Sequence, residues 1–272
     1  GGMIMADATS VGTNTFTWMD LATTDLSGAK SFYSELFNWK IKDQDAGEAG
    51  IYAEASVADK TVGGLYELNA EMKKHGVPPH WMSYLRVDDL DAAVKKVAKL
   101  GGKVLSEPMK VMEAGRMAVV QDPTGATFSL WEAGKHAGAM LFNQPGSMCW
   151  NELMTHDVSK ARDFYTGLFG WKAETEDMGG MQYTVFMNGE RAAGGMLTIT
   201  KEMGEVPPNW SVYIAVDDTE AYAMRAEGLG AKLLVAPQDI PKVGKFATIQ
   251  DPQGAVFTVL KLEQVPDDCV IL

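Results

Sequence analysis

The chain of 272 residues is long enough for one large domain or two ordinary ones, and its 46% hydrophobic and 22% charged residues are typical of a globular protein. Its formal charge of -12 repels phosphate backbones and anionic lipids, so we expect neither nucleic acid nor a membrane as a partner. Two cysteines, Cys149 and Cys269, are too few for a disulfide framework, and no apolar run is long enough to span a bilayer. We therefore expect a reducing compartment and predict a cytoplasmic location.

The first predicted elements are a strand and an amphipathic helix. Residues 16–22 have a strand-like composition, and Asp25 stands where a helix N-cap belongs. Apolar residues then recur with helical spacing at Ala29, Phe32, Tyr33, Leu36 and Phe37. Apolar stretches at 51–57 and 61–66 predict further strands, so the unit is a strand, a helix and then strands.

The same order of elements follows in residues 82–131. Residues 82–87 predict a strand, and residues 88–100 predict a helix that ends at Gly101-Gly102. The last two strands, near residues 118–120 and 127–131, flank the turn sequence Asp122-Pro123-Thr124-Gly125. This pattern predicts a closing hairpin.

The second half of the chain repeats the first. Trp18-Met19-Asp20-Leu21 returns as Trp150-Asn151-Glu152-Leu153, and Gln121-Asp122-Pro123 returns as Gln250-Asp251-Pro252. Residues 11–132 and 144–263 are therefore predicted to be two copies of one domain. Residues 133–143, in which glycines interrupt any regular periodicity, are predicted to be the linker.

This organisation resembles the vicinal oxygen chelate superfamily, which includes glyoxalase I, extradiol dioxygenases and the bleomycin and fosfomycin resistance proteins. The resemblance is carried by Ala-x-x-Phe-Tyr-x-x-Leu-Phe-x-Trp on the first helix of each copy and by Asp-Pro-x-Gly before the last strand. It implies an α+β fold of two glyoxalase-like domains, each built of two βαβββ modules that form a cup-shaped sheet with helices outside. Whether modules pair within or between copies stays open, and we expect a monomer or a homodimer.

Strand alternation predicts which side chains face the inside of each cup. Met19 and Leu21 suit the helix-covered face, so Trp18 and Asp20 point into the cup. The residues predicted to line the cups and to bind a ligand are Trp18, Asp20, Met82, Tyr84, Arg86, Ser129, Trp131, Trp150, Glu152, Ser211, Tyr213 and Thr258. Flat apolar walls with few polar groups suit an aromatic or conjugated small molecule.

The resemblance also implies where metal ligands would stand, namely on the first strand of each module and on its last strand. In this chain those positions hold Trp18, Met82 and Ser129 in one copy and Trp150, Ser211 and Thr258 in the other. None of these residues is an expected metal ligand, so we predict no metal and no other cofactor. One counter-argument remains: His80 shares the strand parity of Met82, and a two-residue shift in pairing would bring it beside Asp20. We otherwise interpret His75, His80, His136 and His156 as surface or loop residues.

The leading hypothesis is a metal-free, glyoxalase-like protein that binds a small organic molecule in one or both cups. One alternative is a metal-dependent lyase, isomerase or dioxygenase of the same superfamily. Another is a metal-free enzyme with Asp20 or Glu152 as a general base, because burial raises the pKa of a carboxyl group. Against this, hydrogen bonds from Tyr84 or Tyr213, or from Arg86 in the first copy, would give these acids a purely structural role.

Overall fold

A computed structural model describes residues 12–265, which form two similar halves. The first half contains strands β1 (Phe16–Thr23), β2 (Lys40–Asp45), β3 (Ile51–Val57), β4 (Lys60–Glu67), β5 (His80–Arg86), β6 (Lys103–Val111), β7 (Gly115–Gln121) and β8 (Thr127–Ala133), with helices α1 (Leu26–Phe37), α2 (Ala70–Lys74) and α3 (Leu90–Lys99). The second half contains strands β9 (Met148–Thr155), β10 (Lys172–Asp177), β11 (Gln182–Asn188), β12 (Arg191–Thr198), β13 (Asn209–Ala215), β14 (Lys232–Ile240), β15 (Gly244–Gln250) and β16 (Val256–Leu262), with helices α4 (Val158–Phe169) and α5 (Thr219–Gly228). Residue 11, the predicted start of the first copy, and Cys269 lie outside the described range.

Each half folds into one eight-stranded sheet. The strand order is β2-β3-β4-β1-β5-β8-β7-β6 in the first sheet and β10-β11-β12-β9-β13-β16-β15-β14 in the second. Two βαβββ modules meet in each sheet through the antiparallel pairs β1-β5 and β9-β13. All strands of a sheet come from one copy, so modules pair within a copy and the α+β fold of two glyoxalase-like domains is confirmed.

The equivalent helices α1 and α4 begin and end at matching residues. Asp25 and Asp157 accept hydrogen bonds from backbone N–H groups in the first turn, which caps each helix. Asn38 and Gly170 adopt the left-handed conformation that ends it. Within residues 12–265, no helix is both long and apolar enough to cross a bilayer.

The two faces of each sheet have different partners. We call the face that bears Met19 and Leu21 the helix face, and the face that bears Trp18 and Asp20 the first cup; the second cup is the equivalent face around Glu152. A bulge lies between Phe16 and Trp18, which places Phe16 on the helix face. There its ring centroid lies 4.9 Å from that of Trp210 in the second copy. Strand alternation alone would have placed Phe16 inside the cup.

The helix faces of the two copies pack against each other through a reciprocal pair of buried hydrogen bonds. The Tyr33 hydroxyl donates to Asp251 Oδ2 at 2.6 Å, and the Tyr165 hydroxyl donates to Asp122 Oδ2 at 2.7 Å. Both aspartates belong to the Asp-Pro-x-Gly turns, whose backbone N–H groups hold the other carboxylate oxygen. Each tyrosine of one copy is thereby joined to the hairpin turn of the other copy.

Candidate ligand-binding site

The first cup is built around Asp20, which lies at the centre of the sheet. Asp20 pairs with Met82 on β5 and with Gly64 on β4, and Asp20 itself is only 3% exposed. Its Oδ2 atom accepts hydrogen bonds from the Tyr84 hydroxyl at 2.8 Å and the Tyr52 hydroxyl at 3.1 Å. Its Oδ1 atom is buried without a hydrogen-bond partner. The acid is therefore held by two tyrosines through a single oxygen.

Tyr52 was missed by the sequence interpretation, and Gly64 explains how it reaches the acid. A Cβ atom on Gly64 would overlap the Tyr52 hydroxyl, so the absence of a side chain at this position lets the phenol lie across β4. The same hydroxyl accepts a hydrogen bond from Trp18 Nε1 at 2.9 Å. Trp18, Tyr52 and Asp20 thus form one chain of hydrogen bonds on the cup face.

Burial sets the ionisation behaviour of this group. Desolvation raises the pKa of Asp20 from 3.8 to about 7, while the hydrogen bonds from Tyr84 and Tyr52 act in the opposite direction. Burial and the neighbouring carboxylate also hold the pKa values of both tyrosines well above 10, so their hydroxyl groups remain donors. Asp20 can therefore exchange a proton near neutral pH while its two donors stay protonated.

The second cup repeats this arrangement around Glu152. The Tyr183 hydroxyl donates to Oε2 at 2.8 Å, and the Tyr213 hydroxyl donates to Oε1 at 2.8 Å. Trp150 Nε1 donates to Tyr183 at 2.9 Å, as Trp18 does to Tyr52. Burial raises the pKa of Glu152, and the two tyrosines lower it. In this copy both carboxylate oxygens are occupied.

The other residues predicted for the first cup lie on the same face as Asp20. Ser129 pairs with Tyr84 in the sheet and is 1% exposed, and its hydroxyl is buried without a hydrogen-bond partner. Trp131 pairs with Arg86, and its Nε1 atom donates to the carbonyl oxygen of His136 at 2.9 Å. Met82 and Arg86 are half-buried on β5.

The remaining predicted residues of the second cup have partners within their own copy. The Thr258 hydroxyl lies 3.0 Å from the hydroxyl of Thr248, and the Ser211 hydroxyl donates to Asn209 Oδ1 at 2.9 Å. Trp150 is half-buried, whereas Trp18 is only 6% exposed. The two cups share a plan but differ in how their polar groups are satisfied.

His136 lies in a loop, in agreement with the expectation of a surface or loop residue, and its ring packs in the first cup. Its centroid lies 4.6 Å from that of Trp18 and 6.2 Å from that of Trp131, with both pairs in edge contact. Burial lowers the pKa of His136. Nearby, the backbone N–H of Ala139 donates to the Thr17 carbonyl at 2.7 Å, which holds this segment against β1. The segment between the copies therefore covers part of the first cup.

The donor set of the cups does not fit a metal ion. No group of three or more His, Cys, Asp or Glu side chains able to hold a metal ion occurs within residues 12–265. His80 pairs with Ala22 and not with Asp20, so the two-residue shift that would bring its imidazole to the acid is wrong. Its Nδ1 atom instead lies 2.8 Å from the carbonyl oxygen of Pro78.

The sequence matches the profile of the Glyoxalase/Bleomycin resistance protein/Dioxygenase superfamily at residues 15–130 and again at residues 147–259. The chain therefore belongs to this superfamily, and each copy contains one match. It is 41% identical over 246 residues to CFP32 of Mycobacterium tuberculosis, a protein provisionally named a glyoxylase. The match covers 90% of this chain and 93% of CFP32. It is 35% identical over 260 residues to the anthracycline biosynthesis protein DnrV of Streptomyces peucetius, and the match covers 91% of this chain and 93% of DnrV.

Solved structures share the fold at much lower identity. The 2,3-dioxygenase LapB from Pseudomonas sp. KL28 superimposes with a TM-score of 0.65 at 11% identity, covering 94% of this chain and 95% of LapB. The Mn(II)-bound glyoxalase from Novosphingobium aromaticivorans gives a TM-score of 0.62 at 18% identity, and the superposition covers 93% of this chain and 86% of the glyoxalase. These similarities support the arrangement of strands and helices, and they carry no information about the chemistry of the cups.

Proposed function

We propose that this protein binds a small organic molecule with an aromatic or conjugated ring system in one or both of its cups, and that it does so without a metal ion. The observation that carries the proposal is a buried carboxyl group, Asp20, surrounded by the indole and phenol rings of Trp18, Tyr52 and Tyr84. Rings of this kind bind flat ligands by stacking and edge contacts, while a few polar atoms fix their orientation. The name of DnrV supports an aromatic ligand, since anthracyclines contain fused planar rings.

The metal-free part of the proposal rests on the side chains at the strand positions described above. Indole, thioether and hydroxyl groups are poor ligands for a divalent ion compared with imidazole, thiolate or carboxylate. The cup carboxylates are already held by tyrosine hydroxyl groups. After dialysis against EDTA we expect an unchanged affinity for ligand, and we expect elemental analysis to find far less than one metal ion per chain. A stoichiometric metal whose removal abolishes binding would refute this part.

The binding proposal is tested with an anthracycline, whose ring fluorescence reports its environment. We expect saturable quenching on titration and a complex of defined mass by native mass spectrometry. Met82 is half-buried on the cup face of β5, so Met82→Trp places a larger side chain there and should weaken binding roughly tenfold or more. Met224→Trp, at a residue 73% exposed on α5, is the matched control and leaves the affinity within about twofold. Absence of saturable binding, or equal losses in both variants, would contradict the proposal.

A second candidate function is acid–base catalysis by Asp20. It is favoured by the pKa of about 7, since a general base works best when its pKa lies near the working pH. In that case Asp20→Asn would abolish turnover of a bound ligand while leaving the ligand in place. Loss of binding and turnover together would point to a binding role alone.

A further inference from the structure

The two copies place an acid at the same inward position, but the acids differ by one methylene group. Glu152 reaches far enough for Tyr183 and Tyr213 to bond separate oxygens. Asp20 is shorter, and Tyr52 and Tyr84 both bond its Oδ2 atom. One carboxylate oxygen in the first cup is consequently left without a donor.

A second polar atom in the first cup is also unsatisfied. The Ser129 hydroxyl is buried without a partner, whereas its counterpart Thr258 lies 3.0 Å from the hydroxyl of Thr248. Position 119, which pairs with Ser129 as Thr248 pairs with Thr258, is occupied by Val119, which has no hydroxyl to offer. Buried polar atoms without partners are uncommon in folded proteins, because each has lost its hydration without a replacement.

We infer that the first cup is the ligand-binding cup, that its ligand donates a hydroxyl group to Asp20 Oδ1, and that the second cup is a structural copy. This inference deepens the proposed function and rests on it. A second oxygen of the ligand, accepting from the Ser129 hydroxyl, would satisfy the other unpartnered atom. The ligand class is therefore a hydroxylated arene with a further oxygen substituent.

The geometry of the sheet supports one ligand spanning both atoms. Asp20 lies on β1 and Ser129 on β8, and only β5 separates these strands. Tyr84 on β5 pairs with Ser129 in the sheet and donates a hydrogen bond to Asp20, so one residue is adjacent to both groups. A flat ring placed over Tyr84 could present one oxygen to each side.

The first test compares matched variants of the two acids in the anthracycline titration at pH 8, above the pKa of about 7 of Asp20, so that its carboxylate form is favoured. Asp20→Asn replaces the acceptor Oδ1 with an amide NH2 group, which cannot accept the ligand hydroxyl, and should weaken binding roughly tenfold or more. Glu152→Gln should leave the affinity within about twofold, and native mass spectra should show one ligand per chain. Two ligands per chain, or a larger loss in Glu152→Gln than in Asp20→Asn, would overturn the assignment to the first cup.

The hydroxyl group is tested with 2-naphthol and 2-methylnaphthalene, which have similar size and differ in one donor. We expect the wild-type protein to bind 2-naphthol more tightly than 2-methylnaphthalene, by roughly tenfold or more. Asp20→Asn should remove most of this preference. Equal binding of the two compounds, or binding of neither, would refute the hydroxyl assignment.

A measurement without ligand separates this inference from the proposed function. In Asp20→Asn the amide oxygen can still accept from both tyrosines, so the midpoint of thermal unfolding should stay the same or rise. In Glu152→Gln the amide nitrogen cannot accept from a tyrosine, so the midpoint should fall by about 2–4 °C or more. Equal decreases would refute the specialisation of the first cup even if the protein binds anthracyclines. Unequal shifts without any ligand binding would support the specialisation and refute the binding proposal.

Discussion

Tyr84 donates a 2.8 Å hydrogen bond to Asp20 across the junction between the two modules of the first copy. Asp20 lies on the first strand of one module, and Tyr84 lies on the first strand of the other. The central acid of the cup is therefore positioned by both modules and not by a local loop. Because β1 and β5 are inner strands of a continuous sheet, the carboxyl group is held on a rigid element.

The raised pKa of Asp20 predicts a defined dependence of stability on pH. A carboxyl group with a folded-state pKa of about 7 holds its proton at pH values where the unfolded chain, near 3.8, has lost it. Its contribution to stability is complete below pH 3.8 and is lost as the pH rises toward 7. As the pH rises from 3.8 to 7, the free energy of unfolding of wild type should therefore fall by a few kcal/mol relative to that of Asp20→Asn.

Urea unfolding at intervals between pH 4 and 8 measures this difference. Glu152 remains in both proteins, so its own titration cancels in the comparison. A difference that does not change with pH would show that Asp20 titrates near its ordinary value.

Gly64→Ala is predicted to disrupt the contact between Tyr52 and Asp20. The added Cβ atom would overlap the Tyr52 hydroxyl, so the phenol must move away from the carboxylate. We expect a loss of about 1–3 kcal/mol in the free energy of unfolding. Gly228→Ala is the control, because nothing lies within 4 Å of its added Cβ atom. If both variants have wild-type stability, Tyr52 does not lie across Gly64.

Tyr33→Phe is predicted to weaken the contact between the two copies. The substitution removes the 2.6 Å hydrogen bond to Asp251 and leaves the Trp81 Nε1 group without its acceptor. We expect a loss of about 1–3 kcal/mol by urea unfolding, and a similar loss for the matched variant Tyr165→Phe. Tyr222→Phe, at a half-buried tyrosine on α5, should change stability by less than about 0.5 kcal/mol. Equal effects of all three substitutions would argue against a special role for the reciprocal pair.

His136→Ala is predicted to speed entry into the first cup. The imidazole packs against Trp18 and Trp131, so its removal uncovers the rings that the ligand is proposed to contact. Stopped-flow fluorescence with an anthracycline should show an association rate several-fold higher than wild type. Exposed His75 provides the control substitution, His75→Ala. An unchanged rate would mean that ligand reaches the cup by another route.

Much of the architecture could be predicted from the sequence because the duplication presents each pattern twice. Strand alternation placed Trp18, Asp20 and Tyr84 on one face, and the sheet has that arrangement. Simple alternation does not extend to Phe16, because the bulge between Phe16 and Trp18 turns Phe16 to the opposite face. A bulge depends on the pairing between strands, which one strand's own sequence does not reveal.

The finer features of the cup depended on contacts between distant residues. Gly64 lies opposite Asp20, while Tyr52 pairs with Tyr66, two residues along β4. The Tyr52 phenol reaches Asp20 by lying across Gly64, and that placement requires the register of three strands. His136 enters the cup through the path of an irregular segment, which no periodicity predicts. The paired glycines that precede Leu65 and Met196 indicate a bulge or a close approach of strands, but they do not identify the side chain that lies across them.

The reciprocal bonds from Tyr33 and Tyr165 lie on the opposite side of each sheet from the cups. Among the described residues, each cup is walled by strands of its own copy, with the intervening segment added to the first. A substitution at Asp20 therefore leaves the surface that joins the halves untouched. Substitutions can therefore change the chemistry of one cup without disturbing the contact between the halves. The two cups can vary independently within a single folded unit.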